Sequence, residues 1–327
     1  MLRRSLYFTA PYTVNVREES LPALAAGQAL VQTLGSAISP GTEMLVYRGQ
    51  APTAMALDET ITALGGQFQF PLKYGYSAVG RVIELGPDVD AAWLGRAVFA
   101  FNPHESHFIA DTHDLFPLPD DVDAETALFL SNMETAVNFL LDGAPLIGEN
   151  VAVLGQGVVG LLTTALLTRY PLANLTTFDH YPLRREASLT LGAHASLEPG
   201  NPPALQADLT YELSGSPAAL DAAIALTGFD GRIVIGSWYG QKRAALDLGG
   251  RFHRSRIRLI SSQVSTLTPA LSGRWSKARR LQVAWDMLRA IQPARLITHR
   301  FPLADSAQAY ALIDQYPEAC LQVLLTY

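Results

Sequence analysis

At 327 residues, with 49% hydrophobic and 17% charged residues, the chain is long enough for two domains with substantial cores. Its 24 Lys and Arg residues against 30 Asp and Glu residues leave a net charge of −6, which argues against nucleic acid or an anionic membrane as the main partner. The single cysteine, Cys320, excludes an intrachain disulfide and any zinc site built from several cysteines.

The N-terminal segment carries no recognisable targeting signal. The stretch "MLRRSLYFTAPYTV" has two early arginines but lacks the long apolar core and the small-residue cleavage site of a signal peptide. The longest uncharged run, Val151 to Thr168, is too short for a spanning helix and contains three glycines. We therefore expect a cytoplasmic protein with no membrane partner.

Short β-prone runs dominate the chain as far as Val122. They include "ALVQTLGSAIS", "AVGRVIELG" and "RAVFAF", separated by Gly, Pro and Asp turns, which is typical of a small antiparallel or barrel-like domain. The next stretch, "AETALFLSNMETAVNFLLDG", has apolar residues at helical spacing, an acidic first turn and a closing Gly143. It predicts one continuous helix.

From Asn150 onward, strands and helices alternate, as in "NVAVLG", "VVGLLTTALLTRY", "NLTTFD", "LRREASLTLGA", "LTYELSG", "SPAALDAAIALT" and "GRIVIGSWYG". This alternation predicts a parallel sheet covered by helices. The run "RIRLISSQVS" predicts the last strand of that sheet, ending near Thr266. Two amphipathic helices, "KARRLQVAWDMLRAI" and "DSAQAYALIDQY", and a final strand, "LQVLLTY", complete the chain.

The most specific motif is "VAVLGQGVVGLL", in which Gly155, Gly157 and Gly160 form G-x-G-x-x-G around Gln156, Val158 and Val159. The motif follows a predicted strand and opens a predicted helix, and an acid, Asp179, closes the next strand. Gly155 permits the tight turn, Gly157 lets backbone N–H groups approach a pyrophosphate, and Gly160 lets helix and strand pack closely. The motif predicts a dinucleotide site.

Asp179 indicates which dinucleotide is preferred. A carboxylate there accepts hydrogen bonds from the adenosine ribose and repels a 2′-phosphate, which favours NAD over NADP. Arg184 and Arg185 weaken that preference, so NADP stays possible. Two simpler readings remain open: the glycines serve packing alone, or Asp179 is a surface turn residue.

The glycine motif, the strand-rich segment before it and the closing "LITH…LLTY" resemble the medium-chain dehydrogenase/reductase superfamily over nearly the whole chain. The resemblance implies an α/β Rossmann domain inserted into a GroES-like, mainly-β catalytic domain. The expected limits are residues 1–122, completed by 267–327, for the GroES-like domain and 123–266 for the Rossmann domain.

The resemblance also locates the positions where zinc-dependent members carry their metal ligands. The stretch "GSAISPGTEMLVYRG" resembles the loop with the first ligand, but Pro40 stands there; Tyr76 takes the second position and Ser131 the third. Proline offers no donor atom, and tyrosine and serine are poor ligands for zinc. We expect no zinc.

Within the superfamily, "SPGTE…YRG", "KYGYSAVGRV", "FAFNPHESHF" and "GSWYG…LDLGGRFHR" are most similar to the branch around bacteriochlorophyllide dehydrogenase. That likeness implies oxidation of a secondary alcohol with a nicotinamide cofactor. Nothing in the residues identifies a tetrapyrrole substrate.

Thr42 and Tyr76 are the candidate catalytic residues, because without a metal a hydroxyl or imidazole must stabilise the alkoxide that develops during hydride transfer. The resemblance places both at active-site positions. An unperturbed phenol, with a pKa near 10, acts as a donor more readily than as a base. The alternative, that both side chains only fill space, stays open.

Other candidates carry simpler interpretations. We expect Glu43 to form a structural salt bridge, and His104 and His107 in "NPHESH" to be strand-edge residues on one face, not a metal pair. Gln322 stands where alcohol dehydrogenases carry a phosphate-binding arginine. The residues that follow the later strands are expected to complete the cofactor site: Ser214, Ser237 and Trp238.

The predicted function is zinc-independent, NAD(H)-dependent hydride transfer between the nicotinamide and a secondary alcohol or ketone, a small-molecule substrate. The alternatives are an NADPH-dependent enone or quinone reductase and a non-catalytic nucleotide-binding protein. The β-branched and apolar run "RIRLISSQVS" predicts an intermolecular edge strand, and hence a homodimer.

Overall fold

The computed structural model describes residues 1–200 and 205–327, and the chain divides into two compact units. The first comprises residues 1–131 and 288–327, and the second, residues 132–287, is inserted between those segments. The chain passes from one unit to the other within two helices, α3 (Leu130–Gly143) and α7 (Lys277–Ile291). The predicted limits at 122 and 266 each fall before these helices. None of the described helices is long and apolar enough to cross a membrane.

The first unit is mainly β. Its strands are β1 (Leu2–Ala10), β2 (Thr13–Ser20), β3 (Gln28–Ala37), β4 (Ala78–Leu85), β5 (Ala97–Ala100), β6 (His107–Asp111), β7 (Leu115–Pro117), β14 (Ile297–Pro302) and β15 (Gln322–Thr326). Its helices are α1 (Pro40–Tyr47), α2 (Ala124–Ala127) and α8 (Ser306–Gln315).

Seven of these strands form one sheet. Its order is β14-β15-β3-β4-β5-β7, with β6 also paired to β3, and all pairs except β14–β15 are antiparallel. Strand β3 pairs with β6 through its first half and with β15 through its second half. Alternate residues of these strands fill a core that includes Val31, Val82, Val98 and Phe108.

The second unit contains the parallel sheet. Its strands are β8 (Asn150–Leu154), β9 (Asn174–Phe178), β10 (Ala195–Leu197), β11 (Ala207–Glu212), β12 (Thr227–Ile235) and β13 (Arg258–Ser261). Its remaining helices are α4 (Val158–Leu167), α5 (Pro182–Thr190) and α6 (Pro217–Leu226).

The strand order β10-β9-β8-β11-β12-β13, with every pair parallel, is the 3-2-1-4-5-6 order of a doubly wound Rossmann sheet counted from β8. In such sheets the ligand binds beyond the carboxyl ends of the strands where the order reverses, here β8 and β11. The predicted fold class, a Rossmann sheet inserted into a mainly-β domain, is confirmed.

The helix predicted from Ala124 to Gly143 is interrupted. It forms α2 and α3, separated at Leu128 and Phe129. The Ser77 hydroxyl donates a hydrogen bond of 2.5 Å to the Leu128 carbonyl oxygen. This tertiary bond therefore engages the backbone at the interruption between the two helices.

The predicted strand "RIRLISSQVS" is also shorter than expected, since β13 contains only Arg258–Ser261. Arg256 has a positive φ of 55°, which an extended strand does not accommodate. At the other end, the Ser262 hydroxyl donates to Asp142 of α3. The first feature delays the start of the strand, and the second ends it early.

A buried arginine ties together the elements around α3 within the second unit. Arg280 of α7 is fully buried and forms an ion pair of 2.8 Å with Glu134. It also donates to the Asn138 side chain at 2.6 Å and to the carbonyl oxygens of Val264 and Thr266. Breaking one side of such a pair leaves an uncompensated buried charge, so the pair fixes α3, α7 and the chain after β13 relative to one another.

Candidate active site and nucleotide site

The stretch that resembles a metal-binding loop is largely helical. Ser39 has an extended backbone at the N-cap of α1, and Pro40 takes the first helical position. Proline is favoured there because its fixed φ suits a helix and its missing N–H has no intrahelical partner. The Glu43 carboxylate accepts a hydrogen bond from the Ser39 N–H group at 2.7 Å, which closes the first turn.

Three hydroxyl groups meet at the start of this helix. The Tyr76 hydroxyl is hydrogen-bonded to Ser39 Oγ and lies 3.1 Å from Thr42 Oγ1. We call Ser39, Thr42 and Tyr76 the hydroxyl cluster. Ser39 is buried, whereas Thr42 and Tyr76 are only partly buried.

One hydroxyl proton of the cluster is not used by the hydrogen bonds within it. Each of the three hydroxyls has one proton, and the two hydrogen bonds between them use two of these. Whichever way the bonds run, one O–H group is left to donate to a fourth oxygen. The structure therefore brings the two predicted catalytic residues together and adds Ser39, which the sequence did not single out.

Tyr76 is a donor and not a base at neutral pH. Burial raises the pKa of its phenol to about 12, although the hydrogen bonds with Ser39 and Thr42 lower it. A phenol with that pKa keeps its proton near pH 7. The chemistry open to the cluster is hydrogen-bond donation to a substrate oxygen.

A buried carboxylate lies behind the cluster. Glu43 is fully buried, and its Oε2 atom lies 3.0 Å from His104 Nε2 and accepts a hydrogen bond from the Tyr310 hydroxyl. Glu43, for which we expected a structural salt bridge, thus has His104 as a hydrogen-bonding partner. His104 Nδ1 lies 2.7 Å from Ser36 Oγ.

The expected placement of His104 and His107 on one strand face is wrong, because side chains three residues apart on a strand point to opposite faces. Strand β6 begins at His107, and His104 lies before it, fully buried. Residues 104–106 pair with β1 instead, since Leu6 N donates to His104 O and Ser106 N donates to Arg4 O. This pairing turns the His104 side chain into the unit.

The chemistry of the three residues that the resemblance assigns to metal-ligand positions does not suit a zinc site. Pro40 has no donor atom, the Tyr76 hydroxyl is protonated and hydrogen-bonded, and Ser131 is a buried alcohol in α3. Elsewhere among the described residues, Asp111, His113 and Asp114 place donor atoms within 4.8 Å of one another. That group is partly or fully exposed at the end of β6 and includes none of the predicted site residues.

The glycine motif runs from the end of β8 into the first turn of α4, as predicted. Gly155 has a φ of +92°, and a side chain there would approach Ser214 Cα to 2.6 Å. A side chain on Gly160 would approach the Gly155 carbonyl oxygen to 2.0 Å. Both glycines are required by the fold itself.

Gly157 differs from its neighbours. Its φ of −66° suits any residue, and nothing lies within 4 Å of where its side chain would be. As the N-cap of α4 it has no side chain to cover the first-turn N–H groups, which carry partial positive charge. Open space above a helix N-terminus fits a phosphate group.

Asp179 lies at the carboxyl end of β9 and is joined to the glycine loop. Its Oδ2 atom accepts from Gln156 N at 2.8 Å, and its Oδ1 atom accepts from Tyr181 N at 2.9 Å. Each carboxylate oxygen has a second lone pair for a ribose hydroxyl. Arg184 Nη1 lies 3.9 Å from Oδ2, which reduces the local negative charge.

Among the other predicted loop residues, Gln156 turns its side chain inward. It donates to Gly155 O at 3.0 Å and accepts from Thr164 Oγ1 at 3.0 Å, so only its backbone can face a nucleotide. Val158 is buried and Val159 partly buried.

A buried acid organises the ends of β11 and β12. Glu212 is fully buried and accepts from Ser214 N at 2.9 Å, Ser214 Oγ at 2.6 Å and the Tyr239 hydroxyl. Ser237 Oγ accepts from Gly215 N at 2.8 Å. Ser214 and Ser237 are therefore both held at the sheet edge where the nucleotide is expected, and the partly buried Trp238 follows Ser237.

Gln322 has a different role from an anion-binding arginine. It is fully buried at the start of β15 and donates hydrogen bonds of 2.8 Å to Ile38 O and Val323 O. The sequence reasoning missed Glu212 and Tyr310. An acid at the end of a buried strand was a signal for Glu212, but no local pattern marks Tyr310 as a partner of Glu43.

Known proteins resemble this chain along its whole length, although no family model matches it. D-guloside 3-dehydrogenase of Escherichia coli K12 is 23% identical over 353 residues, covering 99% of this chain and 100% of that protein. 2-Desacetyl-2-hydroxyethyl bacteriochlorophyllide A dehydrogenase of Cereibacter sphaeroides is 23% identical over 352 residues, covering 100% and 99%.

Among solved structures, an alcohol dehydrogenase (rspB) from Escherichia coli CFT073, complexed with cofactor NADH, has the same fold. Its TM-score is 0.81 at 20% identity, with 100% of this chain and 99% of that chain covered. The shared fold, the Gly155–Gly160 motif and the full-length similarity to named dehydrogenases agree. The chain is therefore similar over its whole length to alcohol dehydrogenase-like NAD(P)-dependent dehydrogenases, and it shares the fold of the medium-chain dehydrogenase/reductase superfamily that its sequence resembles.

Proposed function

We propose that the protein transfers a hydride between NAD(H) and a secondary alcohol or ketone without zinc, and that the hydroxyl cluster takes the place of the metal. The observation that carries this proposal is the cluster itself: Tyr76 stands at a ligand position, and two neighbouring hydroxyls engage it. D-guloside 3-dehydrogenase and the bacteriochlorophyllide dehydrogenase are similar to 99% and 100% of this chain, which supports the reaction class.

The chemistry needs a donor at the substrate oxygen. When bound, the nicotinamide supplies or accepts the hydride. During reduction of a ketone, negative charge develops on the carbonyl oxygen, and the free O–H group of the cluster donates a hydrogen bond to it. A single such donor is typically worth ~3 kcal/mol of transition-state stabilisation.

We also propose that NAD(H) is preferred over NADP(H). Asp179 is positioned by Gln156 N and Tyr181 N at the strand end where the adenosine ribose is expected. A 2′-phosphate would place like charge next to this carboxylate. The Arg184 guanidinium lies 3.9 Å from the Asp179 carboxylate and limits the expected preference for NAD(H). It favours the alternative function, an enone or quinone reductase that uses NADP(H).

The test combines metal content, cofactor binding and turnover. Protein purified without added metal should contain far less than one zinc per chain, and chelators should leave turnover of a panel of secondary alcohols unchanged. Titration of tryptophan fluorescence should show NADH binding at least about tenfold tighter than NADPH, a difference of ~1.4 kcal/mol. Asp179→Asn, which removes only the charge, should reduce that ratio.

The possible failures are distinct. Stoichiometric zinc that is needed for turnover would refute zinc independence, and equal affinities would refute the cofactor preference. Tight NADH binding without turnover across the panel would favour a non-catalytic nucleotide-binding protein.

A further inference from the structure

Glu43 and His104 contact the two backbone segments that carry the hydroxyl cluster. On one side, Glu43 adjoins Thr42 in α1 and accepts the Ser39 N–H group at 2.7 Å. On the other side, His104 packs against Gly75, the residue before Tyr76. The pair therefore contacts both the segment that carries Ser39 and Thr42 and the segment that carries Tyr76.

The contact between His104 and Gly75 leaves no space for a side chain. Gly75 has a φ of +116°, and a Cβ atom there would lie 2.7 Å from His104 Nε2 and 2.8 Å from Cδ2. A positive φ of this kind favours glycine, and so does the approach of the imidazole ring. The ring therefore lies directly beneath the backbone that carries Tyr76.

The hydrogen bonds fix the orientation of both members of the pair. His104 Nε2 lies 3.0 Å from Glu43 Oε2, and Ser36 Oγ meets the opposite ring nitrogen at 2.7 Å, so both ring nitrogens have a hydrogen-bonding partner. Tyr310 donates to the same Glu43 oxygen from α8. Glu43 and His104 are both fully buried, and a buried carboxylate with three donors is held rigidly.

We propose that Glu43 and His104 are positioning residues for the hydroxyl cluster: they hold Ser39 and Thr42 on α1 within hydrogen-bonding distance of Tyr76. Neither residue is assigned a contact with substrate. The inference deepens the proposed function and rests on it, since the pair serves catalysis only if the cluster binds the substrate oxygen.

The main test is Glu43→Gln, with Glu105→Gln as a matched control. Glu105 is a buried acid of the same unit, paired with Lys73 at 2.7 Å, and it contacts no member of the cluster. Displacing reacting groups by about 1 Å can cost up to roughly a hundredfold in rate, so Glu43→Gln should lower kcat by at least about tenfold. NADH affinity should stay unchanged, and Glu105→Gln should keep its kcat.

A double-mutant comparison separates positioning from general damage. In the background Tyr76→Phe with Thr42→Val, the cluster is already lost, so adding Glu43→Gln should change kcat less than about twofold. If the loss in this background equals the loss in wild type, the positioning role is refuted. Tyr310→Phe removes one hydrogen bond without altering charge and serves as the milder variant if Glu43→Gln does not fold.

A spectroscopic readout keeps this test independent of turnover. In protein labelled with 13C at tyrosine Cζ, the Tyr76 signal, assigned by its loss in Tyr76→Phe, should shift in Glu43→Gln and not in Glu105→Gln. An unmoved signal together with retained kcat would overturn the inference. A shifted signal in a protein that turns over no alcohol would support the positioning and refute the proposed function.

Discussion

Gly157 and Gly160 belong to one motif for different physical reasons. Gly160 packs against the Gly155 carbonyl, whereas Gly157 faces open space with an ordinary φ. Close packing within the fold accounts for glycine at position 160. A bound ligand, and no contact within the fold, accounts for glycine at position 157. At the residue scale, a glycine without a steric reason is thus a sign of the nucleotide site.

Substituting each glycine by alanine should separate these roles. Gly157→Ala should keep or slightly raise the melting temperature, because it removes only unfolded-state freedom, and should weaken NADH binding by roughly tenfold or more, ~1.4 kcal/mol. Gly160→Ala should destabilise the fold by about 1–3 kcal/mol through overpacking. Thermal unfolding and fluorescence titration measure both effects; a Gly157→Ala variant with unchanged NADH affinity would contradict the assignment.

Tyr76→Phe and Thr42→Val test the hydroxyl cluster directly. Each should lower kcat by roughly a hundredfold, because either change disrupts the hydrogen bonds that present the one free O–H group of the cluster, and one donor to a developing charge is worth ~3 kcal/mol. NADH affinity should not change, since neither residue lies in the glycine motif. Steady-state kinetics with the best alcohol of the panel provide the measurement.

The double variant sharpens this prediction. If Tyr76 and Thr42 serve one substrate oxygen, removing both should cost less than the product of the single losses. A Tyr76→Phe enzyme with most of its activity would show that the phenol only fills space. Ser39 and Thr42 would then be the remaining donors.

At the scale of elements, the β1–β2 hairpin carries a charge cluster that links stability to pH. Burial raises the pKa of Glu19, but the hydrogen bond from Tyr7, the charge of Lys73, the hydrogen bond from Ser5 and the charge of Arg3 outweigh it and lower that pKa to about 2. For Tyr7, burial first and then the Glu19 carboxylate raise the pKa to about 12.

The sign of the effect follows from linkage. A carboxyl whose pKa falls on folding, here from 4.5 to about 2, stabilises the fold above pH 4.5, and that stabilisation is lost as the pH falls toward 2. Urea unfolding between pH 6 and pH 3 should therefore lose less stability in Glu19→Gln than in wild type. Glu18→Gln, at an exposed neighbouring position, is the control and should follow wild type; identical slopes for all three proteins would contradict the role of Glu19.

At the scale of the whole molecule, the open edge of the parallel sheet bears on assembly. Strand β13 is the last strand in that sheet, and its outer edge offers unpaired backbone groups. Two such edges from different copies can pair across a two-fold axis. We predict a homodimer at micromolar concentration, measured by light scattering; a monomer at that concentration would contradict it.

Local patterns in the sequence were enough for the parts of the molecule whose cause is local. The G-x-G-x-x-G spacing, the acid after β9 and the alternation of strands and helices can all be read residue by residue, and α7 has its predicted bounds. Each depends on backbone geometry or side-chain chemistry within a few positions.

Only the tertiary structure decided how the candidate site is held. At the break between α2 and α3, Leu128 O accepts from Ser77, 51 positions earlier, and Glu43 meets His104 and Tyr310 across 61 and 267 positions. No periodicity encodes contacts at such separations, because the sheet and helices bring the partners together only after folding. The sequence by itself therefore determined the glycine motif and the resemblance to medium-chain dehydrogenases, while long-range packing and hydrogen bonding decided that three hydroxyls converge next to a buried Glu43–His104 pair.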